Sequence, residues 1–473
     1  MTKCRLFSIT CAVSLGGLLF GFDSGVISGC EEAIQKEFAL SAFWHGIVVA
    51  GALIGTVFGA LAAGRMCDRI GRKPTLVWMG ILFLISAAGC AFTPGGEVLG
   101  PQVLGWMRFI GGIAIGGVSV AVPMYIAEIA PAESRGRLVL VNQFCIVLGI
   151  VVSYISNYCV ARWLPASSSV VWRAMLGAEC LPVFMYLGAL AYVPESPHQK
   201  CVEASAPLFV RRNIRPILMC FVVAFFSQLS GVNAVNYYAP RIFKMIFGEG
   251  SGMVALAGTI GVGIVNLVFT VAAFFLIDRF GRRPLLISGC AAMAAMHGLV
   301  AWQISLGSAC APWLAMCGVY GFIAAVAFSA SAVIWVFISE IFPADVRAKG
   351  QSFGGMVHWV MCMLVSWLFP VAVAKTGTYA FAFFAAMMLI EMFWAIFLMP
   401  ETKGRMLADS HLLGLDAKVS DKPKNGSSFQ RRSAIHICVS ALKKNSPNCR
   451  IRIITNKSVM GYADLRALFH LIL

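Results

Sequence analysis

The sequence predicts an all-α membrane protein in which twelve transmembrane helices form two pseudo-symmetric six-helix halves. Three observations support this prediction: the composition, the number of long apolar segments, and a set of charged strings that occurs twice. Of the 473 residues, 59% are hydrophobic and 12% are charged, and the mean hydropathy is +0.82. These values exclude an ordinary soluble protein.

The apolar segments give the number of helices and the division of the chain. A transmembrane helix needs about 20 predominantly apolar residues. Twelve segments meet this requirement, near residues 6–29, 43–65, 75–93, 103–126, 138–160, 171–193, 215–238, 253–277, 285–306, 313–338, 352–374 and 379–399. We therefore expect an N-terminal half (1–193), a short cytoplasmic linker (194–214), a C-terminal half (215–405) and a basic tail (406–473). The tail is polar enough that we expect it to be disordered.

The charged strings show that the second half repeats the first. DRIGRKP at 68–74 returns as DRFGRRP at 278–284, and EIAPAESRG at 128–136 is echoed by EIFPADVRA at 340–348. The order is the same in both halves, and the spacing is nearly constant at about 210 residues. Two parallel membrane-embedded repeats are typical of a transporter that rocks around a central site.

The loop charges predict the orientation of the chain and exclude other classes of protein. Arginine and lysine concentrate in the loops after spans two, four, six, eight and ten. This distribution places those loops and both termini in the cytoplasm of a multi-pass protein of the cell membrane. The net charge of +16 does not lie on one amphipathic face, so no nucleic-acid partner is expected. We find no metal-ligand spacing and no nucleophile–base pair, so we expect no metal, no cofactor and no enzyme activity.

The paired strings predict a gate at the cytoplasmic face. Glu128 and Glu340 each end a predicted span, and Arg135 and Arg347 follow them at the same distance of seven residues. We expect a belt of ion pairs that holds the two halves together when this face is closed. The alternative is that these residues only anchor the topology. The candidate gate residues are Asp68, Arg69, Arg72, Glu128, Arg135, Asp278, Arg279, Arg282, Glu340 and Arg347.

A carboxylate within the first span needs a partner. Asp23 lies among glycine and phenylalanine, where a lone charge costs ~3 kcal/mol on insertion scales. Arg108, which opens the fourth-span string RFIGG, is the candidate partner. A carboxylate that alternates between a paired and a released state can carry a proton. The alternative is a static buried pair that only fixes helix packing.

Ten strings in order resemble the sugar porters of the major facilitator superfamily. They are LLFGFDSGVISG, GRMCDRIGRKP, RFIGGIAIGG, PMYIAEIAP, RGRLVLVNQF, PESP, QLSGVNAVNYYAP, DRFGRRP, WVFISEIFP and PETKG, and they span about residues 6–405. The resemblance implies the major facilitator fold and sugar transport by alternating access. An Asp and an Arg at the positions of Asp23 and Arg108 distinguish proton-coupled members from uniporters, which carry Asn instead of the acid. Glu179 resembles a second acid of bacterial symporters that modulates this arginine.

The resemblance also implies a sugar site, mostly in the second half. A sugar needs amides that donate and accept hydrogen bonds, together with an aromatic platform. By resemblance, the sugar-contacting positions are Gln143, Gln228, Asn233, Asn266 and Trp335, with Trp359 near them and His358 where Asn or Gln is usual. Taken alone, any one of these amides is as well explained by helix-to-helix contact as by ligand contact.

Besides His358, the chain departs from the family pattern at three further places. Ser227 replaces one of two glutamines before Leu-Ser-Gly, and Ser331-Ala332 stands where a Gly-Pro pair usually lets the tenth span bend. The linker after PESP is also short, whereas the family usually has several cytoplasmic helices there. These departures leave the identity of the sugar open and weaken the case for fast transport.

Three functions remain from the sequence. The first is symport of a monosaccharide, a hexose or a pentose, with a proton across the lipid bilayer, by a monomer. The second is facilitative uniport, against which Asp23 argues. The third is a nontransporting sugar sensor that signals through the basic tail, or an impaired carrier, since the short linker could weaken the gate. A degraded reading frame would also explain the tail and the linker.

Overall fold

The computed structural model describes residues 3–131, 135–164, 167–196, 207–248, 250–307, 311–343, 346–375, 377–403, 454–455 and 458–459. The side chains of 3, 135–137, 278, 348 and 375, and those of 454–459, are outside the description. The helices are α1 Lys3–Glu37, α2 Ala42–Ile70, α3 Arg72–Ala91, α4 Leu99–Ile129, α5 Arg135–Trp163, α6 Ser168–Gly177, α7 Cys180–Ala191, α8 Ile214–Leu229, α9 Val232–Phe247, α10 Gly252–Phe280, α11 Arg282–Ser305, α12 Pro312–Phe328, α13 Ala330–Ile341, α14 Arg347–Lys375 and α15 Gly377–Phe397.

These helices form twelve candidate membrane spans, as the sequence predicts. Helices α6 and α7 share the sixth span, α8 and α9 the seventh, and α12 and α13 the tenth. The first and seventh spans continue beyond the predicted ends, to Glu37 and Phe247. The all-α twelve-helix fold is therefore confirmed. Helices α1–α7 make up the N-terminal half and α8–α15 the C-terminal half.

Two of the broken spans have a clear local cause. Span seven breaks at Gly231, whose φ of +81° lies in the left-handed region that favours glycine. Span ten breaks at Ser329, with φ −118° and ψ −86°. This break occurs although the usual Gly-Pro pair is replaced by Ser331-Ala332. The hydroxyl of Ser329 donates to the carbonyl of Ala325 at 2.5 Å and satisfies one carbonyl of the preceding turn.

Close packing of helices in the N-terminal half depends on glycines at four-residue spacing. Gly17, Gly21, Gly25 and Gly29 form one stripe of α1 that faces α5, where an added Cβ would collide with Asn142, Ile146, Ser153 and Asn157. Small residues at this spacing let two backbones approach within a membrane. Asp23 lies between Gly21 and Gly25 in sequence but on the other side of α1, where it faces Arg108 of α4.

The linker and the tail are described only in part. Of the predicted linker, residues 197–206 lie outside the described residues, and Arg211–Asn213 forms a 3-10 turn before α8. In the tail, the described residues are two short antiparallel strands, β1 Ile454–Thr455 and β2 Ser458–Val459. The prediction that the tail is disordered otherwise falls on residues outside the description.

Candidate transport site

The predicted pair of Asp23 and Arg108 is formed in the structure. Arg108 of α4 reaches Asp23 of α1, and its Nη1 donates to the Asp23 carboxylate and, at 3.5 Å, to the backbone carbonyl. Both residues are buried, at 0% and 3% exposure. The second carboxylate oxygen, Oδ2, has no hydrogen-bond partner among the described residues. One oxygen of the acid is therefore paired, and the other is open to a proton.

Glu179 lies beside this pair. It occupies the break between α6 and α7, is 3% exposed, and is close enough to interact electrostatically with both Asp23 and Arg108. Its Oε1 has no hydrogen-bond partner within the described chain. Arg108 thus pairs with Asp23, and the carboxyl group of Glu179 interacts electrostatically with both without a described hydrogen bond to either. The set holds two acids and one arginine, and an uncompensated buried charge is costly. One of the two carboxyl groups can therefore bind a proton.

The amides Gln228 and Asn233 meet across the break in span seven. Asn233 donates from Nδ2 to Gln228 Oε1 at 2.6 Å, and Gln228 Nε2 lies 3.1 Å from the ring nitrogens of His358. Asn233 Nδ2 is also 3.0 Å from the sulfur of Cys362. Ser227, which replaces the family's other glutamine, is buried beside them. The result is a connected polar cluster where α8 and α9 face α14.

Aromatic rings lie against this polar cluster. The ring centroid of His358 is 5.0 Å from that of Trp335 and 5.3 Å from that of Trp359. Trp359 in turn lies 5.7 Å from Phe20 of α1, so the cluster extends to the N-terminal half. Trp335 is 44% exposed. Amides beside exposed aromatic faces are the combination that a sugar ring requires.

Two predicted sugar residues make no described contact with this cluster. Asn266 of α10 accepts a hydrogen bond at 3.3 Å from Thr270 of its own helix. Gln143 of α5 is half-buried. No described hydrogen bond joins either residue to Gln228, Asn233 or His358. The structure therefore brings together five of the seven predicted sugar residues, and the roles of Gln143 and Asn266 stay predictions.

One face of the bundle carries the gate strings; we call it the basic face, and it includes residues 65–73 and 279–283. In the N-terminal half, Arg72 donates from Nε to Glu128 Oε1 at 2.9 Å and lies 3.3 Å from Asp68. Glu195 of the PESP string accepts from the backbone N–H groups of Arg72 at 2.9 Å and Lys73 at 3.2 Å.

The C-terminal half repeats this network. Arg282 donates to both oxygens of Glu340, at 2.8 and 3.1 Å. Glu401 of the PETKG string accepts from the backbone N–H groups of Arg282 at 3.1 Å and Arg283 at 3.0 Å. Partial burial opposes ionisation of Glu401, but these donors and the N–H of Lys403 outweigh it and hold its pKa below the ordinary value. Equal string spacing thus produces equal geometry.

These ion pairs each join helices of the same half, whereas the predicted belt joins one half to the other. The side chains of Arg135 and Asp278 lie outside the description. Arg279 lies 5.8 Å from the ring of Phe280, and Arg347 is half-buried at the start of α14. Arg69 is exposed at the end of α2. The belt between the halves stays a prediction.

Sequence reasoning missed an ion-pair cluster at the opposite face, where α1 ends and α2 begins. Arg241 of α9 donates to both carboxylate oxygens of Glu31, at 3.1 and 2.7 Å, and to Gln35 at 2.6 Å. His45 of α2 lies 3.1 Å from the same carboxylate. Lys244, which is in α9 like Arg241, pairs with Glu32. The contacts of Arg241 and Lys244 join the two halves. The sequence did carry a signal for these contacts: acidic residues follow the first predicted span, and basic residues follow the seventh.

Comparison with known proteins identifies the class. The model of the family described as "Sugar (and other) transporter" matches residues 9–203 and 198–412, which together include both halves. The chain therefore belongs to this family, the sugar porters of the major facilitator superfamily, and the predicted resemblance is confirmed. It is a multi-pass membrane transporter of the sugar type and not an enzyme.

Individual relatives agree with this assignment. The D-xylose-proton symporter of Escherichia coli (strain K12) is 34% identical over 480 residues, covering 86% of this chain and 95% of the relative. The glucose transporter GlcP of Staphylococcus epidermidis is 30% identical, covering 86% and 97%. The inward open conformation of the xylose transporter XylE from E. coli matches with a TM-score of 0.77 at 32% identity, covering 86% of this chain and 99% of XylE.

Proposed function

We propose that this chain imports a monosaccharide together with a proton by alternating access, as a monomer in the cell membrane with its basic face in the cytoplasm. The observation that carries the proposal is the buried pair of Asp23 and Arg108, in which one carboxylate oxygen is unpaired and a second acid, Glu179, lies close by. A uniporter moves no proton and so has no need of a buried acid, whose charge is costly within a membrane.

The distribution of contacts supports an inward-facing state. Ion pairs of Glu31 with Arg241 and of Glu32 with Lys244 join the halves at the opposite face. Similarity to inward-open XylE, and to its partially occluded inward-open form with a TM-score of 0.74, points to the same state. In this state the sugar leaves toward the cytoplasm, and Arg108 holds the deprotonated carboxylate of Asp23.

The cycle follows from these groups. When the opposite face opens, the contacts of Arg241 break and a proton binds Asp23, which weakens its ion pair with Arg108. The sugar then binds the amides of Gln228 and Asn233 and the face of Trp335 or Trp359. Closure of the opposite face carries both solutes inward. Arg108 re-forms its pair with Asp23 as the proton leaves, and the site is reset.

Uptake by proteoliposomes tests this proposal. The purified protein is supplied with labelled hexoses and pentoses, with and without an inward proton gradient. We expect gradient-driven accumulation of at least one sugar, and equilibration without accumulation in Asp23→Asn. The matched control is Glu391→Gln, which alters a fully buried acid of α15 whose described hydrogen bond comes from Cys290, away from Asp23. We expect this variant to accumulate sugar as the wild type does.

The other outcomes have defined meanings. Equilibration that ignores the gradient in the wild type would show a uniporter. Sugar binding without flux would show a sensor or an impaired carrier. Equal loss of accumulation in Glu391→Gln would mean that any buried acid is required, and Asp23 would lose its specific role.

A further inference from the structure

The break in span seven leaves a backbone carbonyl that needs a partner. Where a helix ends, its last carbonyls have no intrahelical N–H to accept from, and in a membrane no water replaces it. At this break the carbonyl of Ser230, which is 0% exposed, accepts a hydrogen bond from Nε2 of His297 at 2.8 Å. His297 belongs to α11, so this bond ties the break to a different helix.

The environment of His297 determines which ring nitrogen carries the hydrogen. The side chain is 1% exposed and lies among aromatic rings, with centroid distances of 4.0 Å to Phe322, 5.6 Å to Phe384 and 5.7 Å to Phe381. Its other nitrogen, Nδ1, has no hydrogen-bond partner among the described residues. The ring is therefore the neutral tautomer that carries its hydrogen on Nε2.

The turn is also held from its other side. A Cβ added at Gly231 would lie 2.7 Å from the ring of Phe384, so that ring packs directly on the glycine backbone. The same Phe384 ring packs on His297. The turn of Ser230 and Gly231 is thus fixed between a hydrogen bond and an aromatic face. Neither anchor is in the strings that indicated the family.

We propose that His297 is a positioning residue of the sugar site. It fixes the Ser230 carbonyl, and through this turn it holds Gln228 and Asn233 at the separation that their 2.6 Å hydrogen bond requires. Each amide is within three residues of the anchored carbonyl, so a rotation of the turn changes the direction of both. His297 itself does not touch the sugar. This inference rests on the proposed function of Gln228 and Asn233.

Three substitutions of His297 separate positioning from packing. His297→Gln keeps a donor at similar reach, His297→Asn keeps the amide but shortens it, and His297→Leu removes the donor. Transport kinetics are measured for each in proteoliposomes. We expect KM for the sugar to rise about three- to tenfold in the Asn and Leu variants, the range that one neutral hydrogen bond spans. We expect KM within about twofold of wild type for Gln, with kcat and proton coupling unchanged in all three.

A matched control is Tyr320→Phe. Tyr320 of α12 donates to the backbone carbonyl of Gly258 in α10 at 3.0 Å. This is also a bond from a side chain to the backbone of another helix in the C-terminal half, but its acceptor lies in an unbroken helix. We expect its KM to equal that of wild type. If the Leu variant does not fold, the difference between Gln and Asn decides the question.

Two results would overturn the inference. One is equal KM values in the Gln, Asn and wild-type proteins. The other is a fall in kcat with KM unchanged, which would indicate a packing role. Asn233→Ala distinguishes these failures from failure of the sugar site. If it raises KM while the His297 variants do not, the site stands and positioning by His297 is wrong; if it leaves KM unchanged, the site fails and the inference with it.

Discussion

The two faces of the bundle use ion pairs in different ways. At the basic face, Arg72 with Glu128 and Arg282 with Glu340 each join helices of one half. At the opposite face, Arg241 of the C-terminal half pairs with Glu31 of the N-terminal half. Under the proposed alternating access, a pair within a half moves as part of a rigid unit when the halves rock. A pair between halves must then break once in every cycle.

The pairs within a half and the pairs between halves therefore contribute to different equilibria. Pairs within a half contribute to the free energy of unfolding, whereas pairs between halves contribute to the equilibrium between inward-facing and outward-facing states. A substitution in the first set should lower stability in both states alike. A substitution in the second set should change the populations of the two states.

The largest effect is expected for Arg241→Met. This variant leaves Glu31, which is 1% exposed, without its bidentate partner in the inward-facing state. The lost pairing destabilises that state by about 2 kcal/mol, which changes the population ratio roughly thirtyfold toward the outward-facing state. Distances between spin labels at Gly95→Cys and Gly250→Cys, where an added Cβ meets no atom within 4 Å, measure the change in a cysteine-depleted background.

The control for this prediction is Arg173→Met. Arg173 pairs with Glu37 at 2.8 Å, and its partner, like Glu31, belongs to the last two turns of α1, but both residues lie in the N-terminal half. We expect its spin-label distances to match those of the unsubstituted background. A similar shift in both variants would show that any arginine of this face affects the equilibrium, and the comparison would fail.

An intermediate effect is expected at the basic face. Arg72→Met and Arg282→Met each remove the partner of a glutamate that is 16% or 24% exposed, and by symmetry the two losses should be alike, at about 1 kcal/mol of unfolding free energy. Thermal unfolding in detergent measures the loss. The spin-label distances should not change. A shift toward either state would instead support the predicted belt of ion pairs between the halves.

The sequence predicts much of this architecture because its signals are local. Apolar length indicates each span, and string spacing indicates the matched networks of Arg72 and Arg282. The pair of Asp23 and Arg108 was predictable since an isolated charge in hydrocarbon demands one partner. The resemblance to the family also led to Gln228, Asn233 and His358, which the structure brings together.

The parts that were missed depend on which helices become neighbours. Arg241 and Glu31 are 210 residues apart, and each could have been a solvated charge at a helix end. His297 lies in an apolar run, and only the approach of α11 to the break at Gly231 gives it a partner. The break at Ser329 arises without the expected Gly-Pro pair, because a serine hydroxyl can satisfy the preceding carbonyl.

The smallest effect is expected for Glu401→Gln, and it depends on pH. The backbone donors of Arg282, Arg283 and Lys403 hold the pKa of Glu401 below its ordinary value. A lowered pKa in the folded state means that the carboxylate stabilises the fold above its unfolded pKa of about 4.3, and that this contribution is lost as the pH falls through the lowered folded value. The thermal midpoint of wild type should exceed that of Glu401→Gln at pH 7, and the gap should narrow below about pH 5. Because Glu401 belongs to a network within one half, the spin-label distances of Glu401→Gln should match those of the wild type at each pH. A gap in thermal midpoint that stays constant with pH would show that the charge of Glu401 does not stabilise this face.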